Sequence, residues 1–442
     1  MFGEGIIVAP ATAAGGAIAV IRMSGAGCVE CCDKVFRGRH RLADAPARTL
    51  HYGRIVDGQR TIDDVVVAIF RAPHSYTGED AVEISVHGSR YIVSETIALL
   101  CRHGARPAEA GEFSARAFAA GKIDLSQAEA VADIIAADNR AAHAVASTQM
   151  RGGYSESLRQ LRGELLEITS LLELELDFSE EEVEFADRDR LLQMLRRTGG
   201  VVRTLAESFR TGNAIREGVR VAIVGAPNVG KSTLLNRLVD DERAMVSDIA
   251  GTTRDTIEEE AVIGDIRFRF IDTAGIRLTD DRLEQMGIDR THRAIGQAGI
   301  VIRMTEPAEQ SVEPLQLTDN QTEIIVVNKI DISAERHLDG AIYISARENI
   351  GLDALRAALC ATVDTASVYR GDTVVSNMRH HEALVRAGEA LARAEAGMRS
   401  GLSSELLAED IRAAISSLGE ITGEITSADI LQNIFSHFCI GK

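Results

Sequence analysis

Gly225-Ala-Pro-Asn-Val-Gly230-Lys231-Ser232 follows directly on the apolar run Val219–Val224 and precedes Thr233-Leu-Leu. Strand, glycine loop, helix is the context in which the spacing G-x-x-x-x-G-K-S has a mechanism. The glycines let the backbone wrap tightly, so that N–H groups from Asn228 to Thr233, Val229 and Gly230 included, converge on phosphate oxygens. The helix N-terminus adds its partial positive charge. Lys231 is then placed to reach the β- and γ-phosphates, and the Ser232 hydroxyl to ligate Mg²⁺. The plainer alternative is a glycine-rich turn with a chance lysine.

Three further motifs follow in order. Phe268–Ile271 reads as a strand ending in Asp272-Thr273-Ala274-Gly275, where the aspartate can hold the Mg²⁺ shell and the Gly275 N–H can meet the γ-phosphate. Ile324–Val327 leads into Asn328-Lys329-Ile330-Asp331. The Asp331 carboxylate can accept from guanine N1–H and its exocyclic amine, a donor pair that adenine lacks; buried hydrogen-bond reading of this kind discriminates by roughly 10⁴. Ile342–Ile344 precedes Ser345-Ala346, suited to a loop against the base. Between the first two motifs lies Ser247-Asp248-Ile249-Ala250-Gly251-Thr252-Thr253-Arg254-Asp255, which reads as a switch loop whose Thr253 closes onto Mg²⁺. Four ordered motifs select GTP over ATP.

The water-positioning group is less evident. Ile276 follows the Gly275 position and cannot orient water, so the polar stretch Arg277–Gln285 must supply another residue: Glu284, with Asp280 and Asp281 as rivals. No arginine stands out as a finger for the transition state. Asn228 offers another source of positive charge, because its carbonyl could ligate a monovalent cation together with carbonyls of the Ser247–Thr252 loop; Asn in such a loop is also an ordinary turn residue.

The elements that must position these groups fall into blocks. Residues 1–118 mix short strands (Ala17–Arg22, Asp64–Phe70, Ala81–Val86) with a helix near Ser94–Arg102, giving a compact α+β domain. From 119 the texture is helical. Ser126 and Glu129 fit a capping box, and Leu158, Leu161, Leu165, Ile168 and Leu172 recur at spacings of three and four. Leu191–Phe209 is expected to be helical too. Strand and helix alternate through 213–376, and helical stripes return in 377–442, with Leu384, Leu391 and Met398 and then Leu407, Ile411, Ala414 and Leu418. The economical fold is an α/β P-loop domain at 213–376 inserted into one discontinuous α-helical domain, 119–212 plus 377–442.

Composition narrows the function classes. A net charge of -18 excludes a global positive field for nucleic acid, so any RNA contact is local or shared with a basic partner. Aromatics are 4% and Trp is absent, so the cores must be Leu, Ile, Val and Ala. Cys28 and Cys31 form a lone C-x-x-C without a second pair, which reads as small apolar residues in a reducing compartment. The start MFGEGIIVAP is not read as a signal peptide, and there is no charge-free apolar run of about 18 residues, so a soluble cytoplasmic protein with no membrane role is expected.

The motif set resembles the MnmE (TrmE) family of bacterial tRNA-modification GTPases. The resemblance is carried by SYTGEDAVEISVHG at 75–88, GEFSARAFAAGKIDLSQAEAVADII at 111–135, GAPNVGKST, SDIAGTTRD, DTAG, NKID and EITGEITSADILQNIFSHFCIGK at 420–442. It implies an N-terminal folate-binding and dimerisation domain at 1–118, a homodimer, and a flavin-dependent partner, MnmG (GidA), forming a heterotetramer or larger complex. Together they would modify C5 of the wobble uridine of tRNA, using a tetrahydrofolate one-carbon unit (5-formyl or 5,10-methylene). It further implies K⁺ held around Asn228, Ser247, Ile249 and Thr252, Mg²⁺ on Ser232 and Thr253, and water oriented by Glu284. Folate contacts would come from Arg22, Glu83, Lys122 and Lys442. Cys439 is placed for nucleophilic chemistry if its pKa is lowered, or simply for burial beside Phe438 and Ile440.

Some residues depart from the family pattern. Ala11–Ala17 lacks the usual Pro and Arg, His87-Gly-Ser89 replaces HGG, Ser247 replaces a threonine, and Val301-Ile-Arg-Met-Thr305 puts a charge where the strand end is usually apolar, so that part of the sheet is expected to be atypical. Two other readings compete: a regulatory GTPase that binds ribosomal RNA, which should append a basic domain, and a non-catalytic scaffold using GTP as a signal.

Overall fold

The computed structural model describes residues 3–13, 15–177, 188–243, 258–271, 292–309, 314–318, 320–333 and 337–441. The chain divides into two compact units, Met1–Ile135 with Gln149–Leu195 and Ala390–Lys442, and Ala136–Thr148 with Arg196–Glu389. Contacts thus group residues 136–148 and 196–212, from the first helical stretch, with the nucleotide-motif segment.

In the first unit, strands β1 (Ile6–Pro10), β2 (Ile18–Ser24), β3 (Phe36–Gly38), β4 (Thr49–Asp57), β5 (Arg60–Phe70), β6 (Ala81–His87) and β7 (Ala105–Pro107) form one sheet. Its order is β3-β4-β5-β6-β2-β1-β7, antiparallel except at β1–β7. Period-two alternation decides which face is core. Ala19, Ile21 and Met23 of β2 are buried against helices Cys28–Val35 and Arg90–Arg102, whereas Arg22 points to the other face, opposite Glu83 of β6. Cys28, Cys31 and Cys32 belong to this core, and burial pushes the Cys28 thiol up to about 12. These thiols pack as small apolar groups.

The helix Gly153–Asp177 buries Leu158, Leu161, Leu165, Ile168 and Leu172 and packs on Ser404–Thr422, whose Leu407, Ile411, Ala414 and Leu418 are buried. Both stripes match the spacing in the sequence. The expected cap does not. The helix Leu125–Ala136 is opened by Asp124, whose Oδ1 accepts from Gln127 N (3.0 Å) while Gln127 Oε1 accepts from Asp124 N (3.0 Å). Ser126 is instead buried and hydrogen-bonded to Ser155, because it lies one position inside the first turn. The region expected at Leu191–Phe209 is two helices, Arg188–Glu207 and Phe209–Glu217.

The C-terminal segment is strapped to the N-terminal sheet within this unit. Phe435, fully buried, packs with Leu125, Ala128 and Phe438, Ile440 bridges Ala110, and Gly441 adopts φ 96°. A Cβ at Gly441 would lie 2.1 Å from the Pro10 carbonyl oxygen, so only glycine permits this approach.

In the second unit, β8 (Val219–Gly225), β9 (Glu259–Ile263), β10 (Ile266–Phe270), β11 (Ile300–Thr305), β12 (Thr322–Val327) and β13 (Ile342–Tyr343) form a sheet ordered β13-β12-β11-β8-β10-β9. All pairs are parallel except the β9–β10 hairpin. Val221, Ile223, Phe268, Phe270, Ile302 and Val326 share one core with Ala141 and Val145 of the helix Arg140–Met150. The charged residue in β11 does not distort it: all six residues are buried, the register with β8 and β12 is unbroken, and Arg303 is neutralised by Glu323 of β12 at 2.6 Å. The fold is therefore an α/β P-loop domain inserted in a discontinuous helical domain, preceded in sequence by an N-terminal α+β domain.

Candidate nucleotide-binding site

Ligands of open α/β sheets bind beyond the carboxyl ends of the strands. β8 ends there at Gly225, with φ 150°, and a Cβ on it would lie 2.3 Å from the Met304 carbonyl oxygen of β11. The loop then uses two more left-handed residues, Asn228 (φ 64°) and Gly230 (φ 102°), before the helix Lys231–Arg243 begins. Lys231 Nζ donates to the carbonyls of Gly225 and Ala226, both at 2.8 Å, and burial holds its pKa below the ordinary lysine value. Val229 is buried, Ser232 half-buried in the first turn, and Thr233 exposed.

Asn328 joins three motifs. Its side chain is almost fully buried; Nδ2 donates to the Val229 carbonyl at 2.8 Å, and Oδ1 accepts from Ala346 N at 3.0 Å. A Cβ on Gly230 would sit 2.2 Å from that Nδ2, which explains the second glycine. From the other side, Arg237 of the P-loop helix donates to the carbonyls of Ala346 (3.3 Å) and Arg347 (3.0 Å). The phosphate loop and the base loop are thus one hydrogen-bonded body.

Lys329, at φ 68°, pairs with Glu306 at 2.5 Å. Asp331 is exposed, and a hydrogen bond from the buried Ser345 holds its carboxyl below the usual carboxylate range, with Arg347 and Lys329 acting in the same direction. It is therefore an acceptor at neutral pH, as guanine reading requires. Asn228–Thr233, Asn328–Asp331 and Ser345–Ala346 are brought to one end of the sheet. Ser247, Asp248, Ile249, Ala250, Gly251, Thr252, Thr253, Asp272, Thr273, Ala274, Gly275, Glu284 and Lys442 lie outside the described residues. The motif reading missed Arg237 and Glu306, which touch it only through tertiary structure.

A second cluster lies in the first unit. The Arg22 guanidinium sits 5.6 Å from the Tyr76 ring centroid and 5.9 Å from that of Phe113. It pairs with Glu83 at 2.8 Å and donates to the Gly441 carbonyl at 3.3 Å. Nearby, Glu79 accepts from Ser24 (2.7 Å) and Arg116 (3.0 Å), and Arg116 also pairs with the fully buried Glu112 at 3.0 Å. Burial would raise the Glu112 pKa, but hydrogen bonds from Arg106, the Glu109 N–H and Arg116 outweigh it and hold the carboxyl below its ordinary value. Lys122 Nζ donates to the Pro73 carbonyl at 2.9 Å, on the loop that carries Tyr76. Cys439 is exposed, two residues before Gly441.

The glycine loop, its lysine and the Asn328-tied base loop define a P-loop GTPase. Family models match over most of the chain: "GTP-binding protein TrmE N-terminus" over residues 6–122 and "MnmE helical domain" over 125–439. Relatives called tRNA modification GTPase MnmE include one from Christiangramia forsetii, 48% identical over 99% of both chains. Another, from Flavobacterium johnsoniae, is 48% identical over 100% of both. A solved structure of Era with MgGDPNP and 16S ribosomal RNA is 23% identical over 39% of this chain and 66% of that one, at a TM-score of 0.24, and adds nothing to the assignment. The chain belongs to the MnmE family of tRNA modification GTPases.

Proposed function

We propose that this chain is a potassium-stimulated GTPase that acts with a flavin-dependent partner, MnmG (GidA), to modify C5 of the wobble uridine in certain tRNAs. The one-carbon unit comes from a tetrahydrofolate derivative. What carries the reading is likeness to tRNA modification GTPases over the full chain, joined to a phosphate loop and guanine-reading loop built as one body. The division into 1–118, 119–212, 213–376 and 377–442 belongs to the same reading, as does a homodimer through the N-terminal domains. Leu50 and Tyr52 of β4, exposed beside Val66 of β5, support that dimer.

The residues present fit the groups they would hold. Ser232, in the first turn behind Lys231, places a hydroxyl that suits Mg²⁺; Thr253 would be the second ligand on sequence grounds alone. Bound Mg²⁺ neutralises charge on the β- and γ-phosphate oxygens. Asn228, exposed in the loop, has a side-chain carbonyl free to face K⁺; Ser247, Ile249 and Thr252 would join it on sequence grounds and lie outside the described residues. Glu284 orients the attacking water. In the first unit, the Glu83 carboxylate suits an aminopyrimidine edge, the rings of Tyr76 and Phe113 suit a flat heterocycle, and Arg22, Lys122 and Lys442 suit glutamate carboxylates. Cys439, exposed beside this cluster in sequence, is available for nucleophilic chemistry.

GTP turnover in potassium against sodium buffer, with and without Glu284→Ala, tests the hydrolytic half. Turnover indifferent to both changes rejects it. Mass spectrometry of wobble nucleosides from cells lacking the chain tests the other half: an unchanged nucleoside profile rejects tRNA modification.

A further inference from the structure

The stretch Val301–Thr305, which departs from the family pattern, runs into Glu306-Pro307-Ala308-Glu309, and these four residues form a locked turn. Glu309 N donates to the Glu306 carbonyl at 3.1 Å. Pro307 is buried and stands where a proline sets the first φ of such a turn in advance. Thr305, the buried last residue of β11, donates its hydroxyl to the Glu309 carboxylate. The backbone beneath the turn is shared with the base loop, because Asn328 N donates to the Thr305 carbonyl at 2.9 Å. Glu306 is thus presented from a fixed point at the carboxyl end of β11, beside the strand that leads into Asn328.

Its partner is Lys329, whose ammonium lies 2.5 Å from Glu306 Oε1. Lys329 has φ 68°, a value that residues with a Cβ keep only where the surroundings hold it. Ile330 N donates to the Ile344 carbonyl at 3.2 Å and Ile332 N to the Lys329 carbonyl at 3.0 Å, which fixes the backbone on both sides. In sequence Lys329 stands between Asn328, tied to the phosphate loop through the Val229 carbonyl, and Asp331. The paired side chains are 34% and 43% exposed. Between two free side chains such a pair contributes little, because ordering them offsets the attraction. In this pair the turn on one side and the left-handed residue on the other are already ordered, so less freedom is left to lose. The carboxylate also satisfies the lysine's charge. Lys329 then offers a nucleotide its four-carbon stem, while Lys231 remains the lysine of the phosphate loop.

We propose that Glu306 is a positioning residue for nucleotide binding: it anchors the Lys329 ammonium at the end of β11 and so lays the lysine stem as an apolar wall beside the base and sugar of the bound nucleotide. The carboxylate acts on the lysine and not on the phosphates. Its removal therefore loosens GDP and GTP alike, and only where Lys329 carries a charge to be held.

Equilibrium titration of GDP and of a non-hydrolysable GTP analogue against the full-length chain, in Mg²⁺ and K⁺ buffer, tests this. Glu306→Gln is expected to weaken both ligands about fivefold, the scale of a coupling between residues in contact. The ratio of native to variant affinity should shrink toward one as ionic strength approaches about 1 M, where the screening length falls to about 3 Å. In a Lys329→Met background, which keeps an unbranched stem and removes the charge, adding Glu306→Gln should change either affinity by less than about twofold. A turn with only a structural role would lower the melting temperature in Glu306→Gln and leave both affinities unchanged at every salt concentration. A carboxylate that merely repels the nucleotide would make Glu306→Gln bind more tightly, GTP more so than GDP. Either result, or a fivefold loss that persists in the Lys329→Met background, overturns the proposal.

Discussion

The nucleotide site and the Arg22 cluster are built on opposite plans. The first is made largely of backbone: left-handed loop residues at Asn228 and Gly230, carbonyls that meet Lys231, and one buried amide, Asn328, tying the pieces. The second is made of side chains from distant stretches, with Arg22 opposite Glu83 in register and Gly441 arriving from the chain's far end. A backbone-made site must be spelled out locally, because only glycine tolerates certain φ values and close approaches. A side-chain site leaves no local spelling. The contrast predicts that the nucleotide site fails at its glycines and the second cluster at its charges.

Substitution at Gly230 should have the largest effect on nucleotide affinity. Gly230→Val places a branched side chain at φ 102°, with its Cβ 2.2 Å from Asn328 Nδ2. Affinity for a fluorescent GTP analogue should fall by roughly 100-fold or more, about 2.7 kcal/mol. Retained affinity would mean that the backbone plan is wrong. Leu165→Ala, a fully buried stripe residue of the other compact unit, should lower stability by about 2–5 kcal/mol in denaturant melts without altering the preference for guanine. A loss of that preference would break the separation between scaffold and site. Asn328→Ala leaves the Ala346 N–H and Val229 carbonyl without their partner. It should weaken GTP binding by about 2 kcal/mol, roughly 30-fold, the scale of an unsatisfied buried pair.

The smallest effect is the pH dependence of Glu112. Its folded pKa is depressed, so its contribution is present above the unfolded value and is lost as pH falls through the folded one. The stability gap between the native chain and Glu112→Gln should be full at neutral pH and shrink as pH drops below the ordinary value of 4.5. A gap that widened on acidification would contradict the ion-pair account of this cluster.

The same contrast decides what could be read from the sequence. The P-loop, NKID and Ser345-Ala346 motifs were legible because each is contiguous and rests on backbone geometry. The helical stripes at Leu158–Leu172 and Leu407–Leu418 were legible because helix period is local. Arg22 and Glu83 stood out only through family resemblance, since cross-strand register has no signature in one sequence. Tyr76 and Glu79, on the loop before β6, and Phe113 and Arg116, on the helix Glu112–Ala119, are brought to this cluster only by tertiary packing, which no local spacing records. The cap on Leu125–Ala136 was misplaced by two residues because Asp124/Gln127 and Ser126/Glu129 both satisfy the pattern, and only the buried partner Ser155 separates them. Arg303 looked foreign to a strand because its neutralising partner, Glu323, lies on another strand.

The most direct test of a site that grips phosphate with backbone and reads guanine with one carboxylate is a paired titration of GTP and ATP against the native chain and Asp331→Ala. The account predicts a preference for GTP of about 10⁴ in the native chain, reduced at least about tenfold in the variant. Equal affinity for the two nucleotides in the native chain, or an undiminished preference in Asp331→Ala, would contradict it.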